Sequence, residues 1–199
     1  MDKTTAEVKT VFITESGSFA APEDGTFQGG GGGAGIWQSG MGFSTDNPNR
    51  MFFVTGNGLG HENQELPASG RSPLGTLDEC IVNVRIDQTT GKLSLQDYFE
   101  PYEYISLDAG DRDLGSSGLT LLDPATFSGG SVSRMGVTVG KNGKAYVVNL
   151  DNLGGFKQGS ANGDAVIQTI TMPGGGSIFG GVGSYPLEGG EYANGFQPP

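Results

Sequence analysis

Short apolar runs alternate along the chain with glycine-rich polar stretches. Residues 50–56 read Arg50-Met51-Phe52-Phe53-Val54-Thr55-Gly56, and residues 144–150 read Lys144-Ala145-Tyr146-Val147-Val148-Asn149-Leu150. β-branched and aromatic residues dominate both, and Gly, Asn or Asp follows each, the pattern of strands bounded by turns. It predicts strands over 36–44, 50–56, 80–87, 92–99, 117–122, 134–140, 144–150, 165–171 and 178–185. A β-branched run over 8–14 predicts one strand more, followed by a loop over 17–35 with five consecutive glycines at 29–33.

Two parts of the pattern repeat. Arg50 to Gly58 resembles Arg134 to Gly143, with Gly56 and Gly140 offset by 84 residues. Val84-Arg85-Ile86-Asp87 resembles Val148-Asn149-Leu150-Asp151, offset by 64. The offsets differ by 20, which places an inserted loop at 59–79 in the first copy. Each copy reads as four strands in an up-and-down meander. The expected fold class is therefore all-β, a β-propeller of four-stranded antiparallel blades seen as an open arc of about three blades, with a β-sandwich as the competing arrangement. The expected organisation is a tail strand and glycine-rich loop (1–35), a first blade (36–100), a second blade (101–172) and the start of a third (173–199), all in one domain. An arc of this size does not close, so the chain is expected to be a fragment of a longer propeller or to assemble with more chain.

Composition narrows the picture. With 37 Gly and 10 Pro among 199 residues, long helices are excluded. The glycines follow no collagen period, and a hydrophobic fraction of 35% argues against disorder of the whole chain. A net charge of −11 argues against nucleic acid and anionic membrane as partners. Cys80 is the sole cysteine, which excludes an intrachain disulfide. No signal peptide or membrane-length apolar run is read, and the compartment stays unread from composition.

In a four-stranded blade, the loop leading to the innermost strand and the loop joining the second and third strands lie at the same face. Trp37 and Asp113 occupy loops of the first kind, Asn57 and Lys141 of the second, so all four are expected to gather near the axis. An indole, an amide oxygen, a carboxylate and an ammonium suit an aromatic cofactor and a hard cation. Each residue also has a plain structural reading: Trp37 as packing, Asn57-Gly58 as a tight turn, Asp108, Asp111 and Asp113 as turn formers, and Lys141 as part of a hairpin turn. Asp87 and Asp151 read as structural blade turns, and His61 as a solvated loop residue. No phosphate-binding loop or serine-hydrolase elbow is present.

These segments resemble the quinoprotein alcohol dehydrogenase-like propellers, which bind pyrroloquinoline quinone. Gly33-Ala34-Gly35-Ile36-Trp37 with Phe52-Phe53-Val54-Thr55-Gly56-Asn57 is similar to the family's glycine-tryptophan segment and its strand ending in Thr-Gly-Asn. Gly110-Asp111-Arg112-Asp113 resembles its acidic stretch, with Arg112 where the family has Trp. Gly140-Lys141-Asn142-Gly143 resembles the turn carrying its basic residue. The resemblance spans about 33–185. It implies that Trp37 stacks on the quinone, Lys141 hydrogen-bonds its oxygens, Asn57 ligates Ca²⁺, and Asp113 is the catalytic base that touches the metal. Gly115, where lanthanide-dependent members carry an Asp, points to calcium. The implied function is the central part of a dehydrogenase oxidising alcohols or sugars with pyrroloquinoline quinone and Ca²⁺. The implied partners are a small alcohol or sugar and the remaining blades, and the implied location is extracellular or periplasmic. The alternatives are a non-catalytic propeller module for protein or carbohydrate binding, and a truncated fragment without independent activity.

Overall fold

The computed structural model describes residues 4–14, 33–58 and 77–184. They form two sheets and belong to the all-β class. The first sheet is an antiparallel meander of β1 (Ser44–Asn47), β2 (Arg50–Val54), β3 (Ile81–Ile86) and β4 (Leu93–Glu100). The second is made of β5 (Thr120–Leu121), β6 (Met135–Val139), β7 (Lys144–Asn149) and β9 (Gln168–Thr171), in that order. Between β7 and β9 the chain crosses to the first sheet, where β8 (Gly155–Phe156) pairs in parallel with Phe99 and Glu100 of β4. One six-residue helix, α1 (Tyr104–Ala109), follows β4.

Eight of the expected strands have counterparts here, with shifted ends. The strand expected over 36–44 begins only at Ser44. Ahead of it, Gln38–Gly40 forms a 3-10 turn in which Gln38 and Ser39 both have φ of 48°. The buried Gln38 side chain explains the turn: its Oε1 accepts a hydrogen bond from Val54 N (2.8 Å) and its Nε2 donates to Met41 O (3.1 Å). A side chain thus satisfies a β2 donor that a strand at 36–44 would have served. Over 178–184 no strand forms; Ile178 N donates to Gly140 O and Gly180 N to Ser116 O as isolated bonds. Gly174, Gly175 and Gly180 hold φ of +88°, +59° and +97°, conformations that interrupt a ladder. The run over 8–14 is also not a strand, although Phe12 packs edge-on against Phe53 at 6.3 Å. His61, most of the inserted loop, glycines 29–32 and residues 185–199 lie outside the described residues.

Side chains alternate across each strand, so each sheet has two faces. Phe52, Val54, Ile81 and Phe99 of the first sheet meet Tyr146 and Val148 of β7, together with Leu114, Leu119, Leu150 and Leu153, in the layer between the sheets. Each such side chain, fully buried, contributes roughly 1.5–3 kcal/mol. On the other face of the first sheet, Phe53, Val82, Val84 and Tyr98 are covered by Tyr104 of α1 and Phe156 of β8. Phe52 and Gly136 are equivalent in the repeat, yet both face the layer between the sheets: a Cβ on Gly136 would lie 2.9 Å from Leu150 Cδ2 and 3.2 Å from Leu119 Cδ1. The repeat therefore aligns strand ends and turns, while the direction in which equivalent residues face is inverted. A one-residue slip in strand phase between the copies has this effect, because the period of a strand is two.

The edge of the layer at the start of β2 and β6 is closed by a ring of charge. Arg50 pairs with Asp46 and, at 3.1 Å, with Asp151. Arg134 pairs with Asp151 and, at 2.8 Å, with Asp46. Asp87 forms the expected turn, accepting from Thr89 N (2.9 Å) and Thr90 N (2.8 Å). Asp151 departs from the turn-former reading: Asn149 Oδ1 organises that turn by accepting from Asp151 N (3.0 Å), and the Asp151 carboxylate bridges the sheets. Replacing Gly136 with Ala should push a methyl into Leu119 and Leu150 and lower unfolding free energy by about 1–3 kcal/mol, read from denaturant melts.

Candidate functional site

At the opposite edge, where β2 and β6 end, three loops are held together by backbone contacts. Residues 33–35 run beside the end of β2, with Gly56 N donating to Gly35 O (2.9 Å) and Ala34 N to Asn57 O (2.6 Å). The loop that precedes β5 lies directly on this pair. A Cβ on Gly115 would sit 2.5 Å from Gly56 N and 2.6 Å from Thr55 C, so only glycine fits there. Lys141 N donates to Asp113 O (3.1 Å), which clips the β6–β7 turn to the same loop. Ser116 Oγ donates to Ile178 O (2.8 Å) and Ser177 Oγ to Lys141 O (3.1 Å), and these bonds carry Phe179 to the rim.

All four residues expected from sequence meet here. Trp37, Asn57, Asp113 and Lys141 line one cavity of about 640 Å³, joined by Asp111 and Phe179. Small-molecule sites span roughly 300–1,000 Å³. The Trp37 indole is 74% exposed and lies over Gly35, whose Cβ position is 2.6 Å from its Nε1. Lys141 Nζ is paired with Asp113 and, at 3.0 Å, with Asp111 Oδ1, and stands 5.9 Å from the centroid of the Phe179 ring. Asp113 Oδ1 accepts from Asn57 N (2.9 Å). Asn57 Nδ2 donates to Asp108 O (3.3 Å), whereas its Oδ1 is buried without a hydrogen-bond partner.

No protein-family model, curated protein or solved structure matches the chain. The chemistry must be read from the residues themselves.

Burial pushes the Asp113 carboxyl up as the largest single effect, but the Lys141 side chain, the Asn57 N–H and the Lys141 charge together hold it below the usual carboxylate range. Asp113 is thus an anion across the neutral range. Hydrogen bonds to Asp113 and then Asp111 raise the Lys141 ammonium above the ordinary lysine value. Glu79 behaves in the opposite way. It is fully buried, its Oε2 accepts from Leu114 N, and its Oε1 has no hydrogen-bond partner. Desolvation first, with Asp108, Asp113 and Asp78 adding repulsion against the hydrogen bond from Leu114, pushes its pKa to about 9. At pH 7 Glu79 is a neutral acid that fixes the loop carrying Asp113.

Asp108 accepts from Gly58 N (3.0 Å) and the Asn57 amide through different oxygens, so it serves to position the β2 end. Glu79, Asp108 and Phe179 were not among the expected site residues. Asp108 was read only as a turn former beside the acidic stretch, and Glu79 abuts the run 80–86 with no sign in its local pattern that it would be buried. Among the described residues, no group of three or more His, Cys, Asp and Glu is arranged to hold a metal.

Because Glu79 is protonated when folded but ionised when unfolded, its contribution to stability is present below its ordinary value near 4.5 and is lost as pH rises toward about 9. Asp113 acts at the acid end, where its contribution falls away as pH drops through its lowered folded value. Glu79→Gln should keep the fold and remove the loss between pH 5 and 9, a slope approaching about 1.4 kcal/mol per pH unit in the parent, as read from urea midpoints against pH.

Proposed function

We propose that the two meanders are successive blades of a quinoprotein-like propeller and that the cavity of Trp37 binds pyrroloquinoline quinone for the oxidation of alcohols or sugars. The observation that carries the reading is the meeting of Trp37, Asn57, Asp113 and Lys141 on one cavity, from four separate parts of the chain. The consecutive four-stranded meanders and their shared layer support the blade relation. The missing chain that a closed ring needs would come from the remainder of the protein.

The residues suit a planar, anionic aromatic group. An exposed indole offers a face for stacking, and Lys141 offers an ammonium beside it. When bound, the quinone supplies the carbonyl that accepts a hydride. Lys141 would draw electron density toward that oxygen. Asp113, already ionised, would take the proton from a substrate hydroxyl, which requires its pairing with Lys141 to loosen. The fit to Ca²⁺ is poor on these residues alone. Calcium takes six to eight oxygens, whereas of the residues assigned to it both Asp113 oxygens are engaged, which leaves Asn57 Oδ1. No step of the proposal passes through the metal.

A second reading, a binding module without turnover, is favoured by the lowered Asp113 pKa, since a weak base is a poor proton acceptor. The two readings part on a simple measurement. Trp37 is the sole tryptophan, so its fluorescence reports on this cavity alone. Adding the quinone should quench it saturably, with and without Ca²⁺, and dye reduction with alcohols or aldoses should follow in the enzyme reading. Asp113→Asn should leave quenching intact and lower kcat by roughly 10²–10⁴-fold. Quenching without dye reduction selects the binding module; absence of quenching ends the quinone reading.

A further inference from the structure

Phe179 is 66% exposed at the Trp37 cavity, although the chain that carries it is fastened on both sides. Before it, Ser177 Oγ donates to Lys141 O (3.1 Å) and Ile178 N to Gly140 O (3.3 Å), bonds to the β6–β7 turn. Around it, Ser116 Oγ donates to Ile178 O (2.8 Å) and Gly180 N to Ser116 O (3.2 Å), bonds to the loop that precedes β5. Ser39 Oγ donates to the same Ser116 O (2.7 Å), so the turn that follows Trp37 shares this anchor. Consecutive side chains then part. Ile178 packs with Val137, Val139 and Ala145 on the outer face of the second sheet, and Phe179 lines the cavity.

A phenylalanine exposed on its own carries no meaning. Here two exposed aromatic side chains from distant parts of the chain open onto one cavity, Trp37 at 74% and Phe179 at 66%. Because backbone anchors already fix the place of Phe179, little conformational freedom is lost when a ligand stacks on it. The group beside the ring narrows the ligand further. Lys141 Nζ lies 5.9 Å from the Phe179 centroid. An ammonium has three donors, and among the described residues Asp113 and Asp111 take two of them. A ring carbonyl satisfies the third without adding another negative charge beside those two carboxylates.

We propose that Phe179 is the second aromatic contact of this cavity, and that the site selects fused-ring ligands carrying a ring carbonyl. Such a ligand touches Trp37 and Phe179 at once while its carbonyl accepts from Lys141 Nζ. A fused system presents enough ring face for two contacts, where a single ring serves one. This rests on the cavity taking a planar group, as in the quinone reading, and adds the residue that decides which planar groups stay bound.

The test is calorimetric titration of the full chain with three sulfonates, so that probe charge is constant. Anthraquinone-2-sulfonate has fused rings and ring carbonyls, anthracene-2-sulfonate has the rings alone, and 4-acetylbenzenesulfonate has a single ring. The first should bind saturably and at least ~10-fold more tightly than the single-ring probe, and more tightly than the anthracene. Phe179→Ala should weaken it at least ~10-fold and Phe179→Tyr should restore it, with the unfolding midpoint unchanged in both because the side chain is exposed. Absence of anthraquinone binding, equal binding of the single-ring probe, or unchanged affinity in Phe179→Ala would overturn the proposal. So would a loss in Phe179→Ala that follows a fallen midpoint and is not restored by Tyr. Anthracene binding as tightly as anthraquinone overturns the carbonyl contact. Pyrroloquinoline quinone is titrated in parallel, read by Trp37 fluorescence. Quenching that is undiminished in Phe179→Ala upholds the quinone reading and overturns this one, whereas Phe179-dependent anthraquinone binding without a response to pyrroloquinoline quinone does the reverse.

Discussion

Everything at the Trp37 edge depends on the absence of a side chain at residue 115. The loop that precedes β5 rests on the backbone of Thr55 and Gly56 at a separation that no Cβ tolerates. Because that contact is backbone on backbone, it sets the height of Asp113 with little freedom. Gly56 completes the arrangement, since a Cβ there would lie 2.6 Å from Asp113 Oδ1. Gly140 does the same for the second meander, its Cβ position being 3.1 Å from Leu114 Cα. Three glycines from three segments thus leave room for one carboxylate to reach Asn57 and Lys141 together. Steric exclusion fixes the positions and charge then fills them.

Once Asp113 is placed, the electrostatics follow from what surrounds it. Toward the cavity it meets the Lys141 ammonium and stays ionised. Toward the interior lies Glu79, whose carboxyl is kept neutral first by desolvation, with repulsion from Asp108 and then Asp113 added to it. The site therefore has an asymmetric charge across a few residues, ionic on the open side and protonated on the closed side.

Much of the strand pattern was legible because β-branched and aromatic runs bounded by turn residues report burial directly, as in Phe52-Phe53-Val54 and Tyr146-Val147-Val148. Turns were legible where a single residue dictates them, as at Asp87. The convergence of the four site residues followed from strand reversal alone, since alternate connections of a meander share an end. What the sequence did not disclose was non-local. Gln38 replaces a strand because its amide meets β2, a partner 16 residues away. Asp151 shares the local pattern of Asp87, yet it is drawn into an ion ring by Arg50, 101 residues distant. Glu79 is buried through contact with Leu114, and no local pattern reports on that.

The short parallel strand β8 has a consequence for how the molecule assembles. It belongs in sequence to the second meander but hydrogen-bonds to the outermost strand of the first. Part of the β4 edge, which would otherwise present free backbone groups for pairing with another chain, is covered only after residue 156 has joined it. During synthesis the first meander therefore waits, partly open at its edge, until β8, which follows the third strand of the second, has been made. The two sheets are expected to gain their final protection from hydrogen exchange together, as one cooperative unit, and not in the order in which they leave the ribosome.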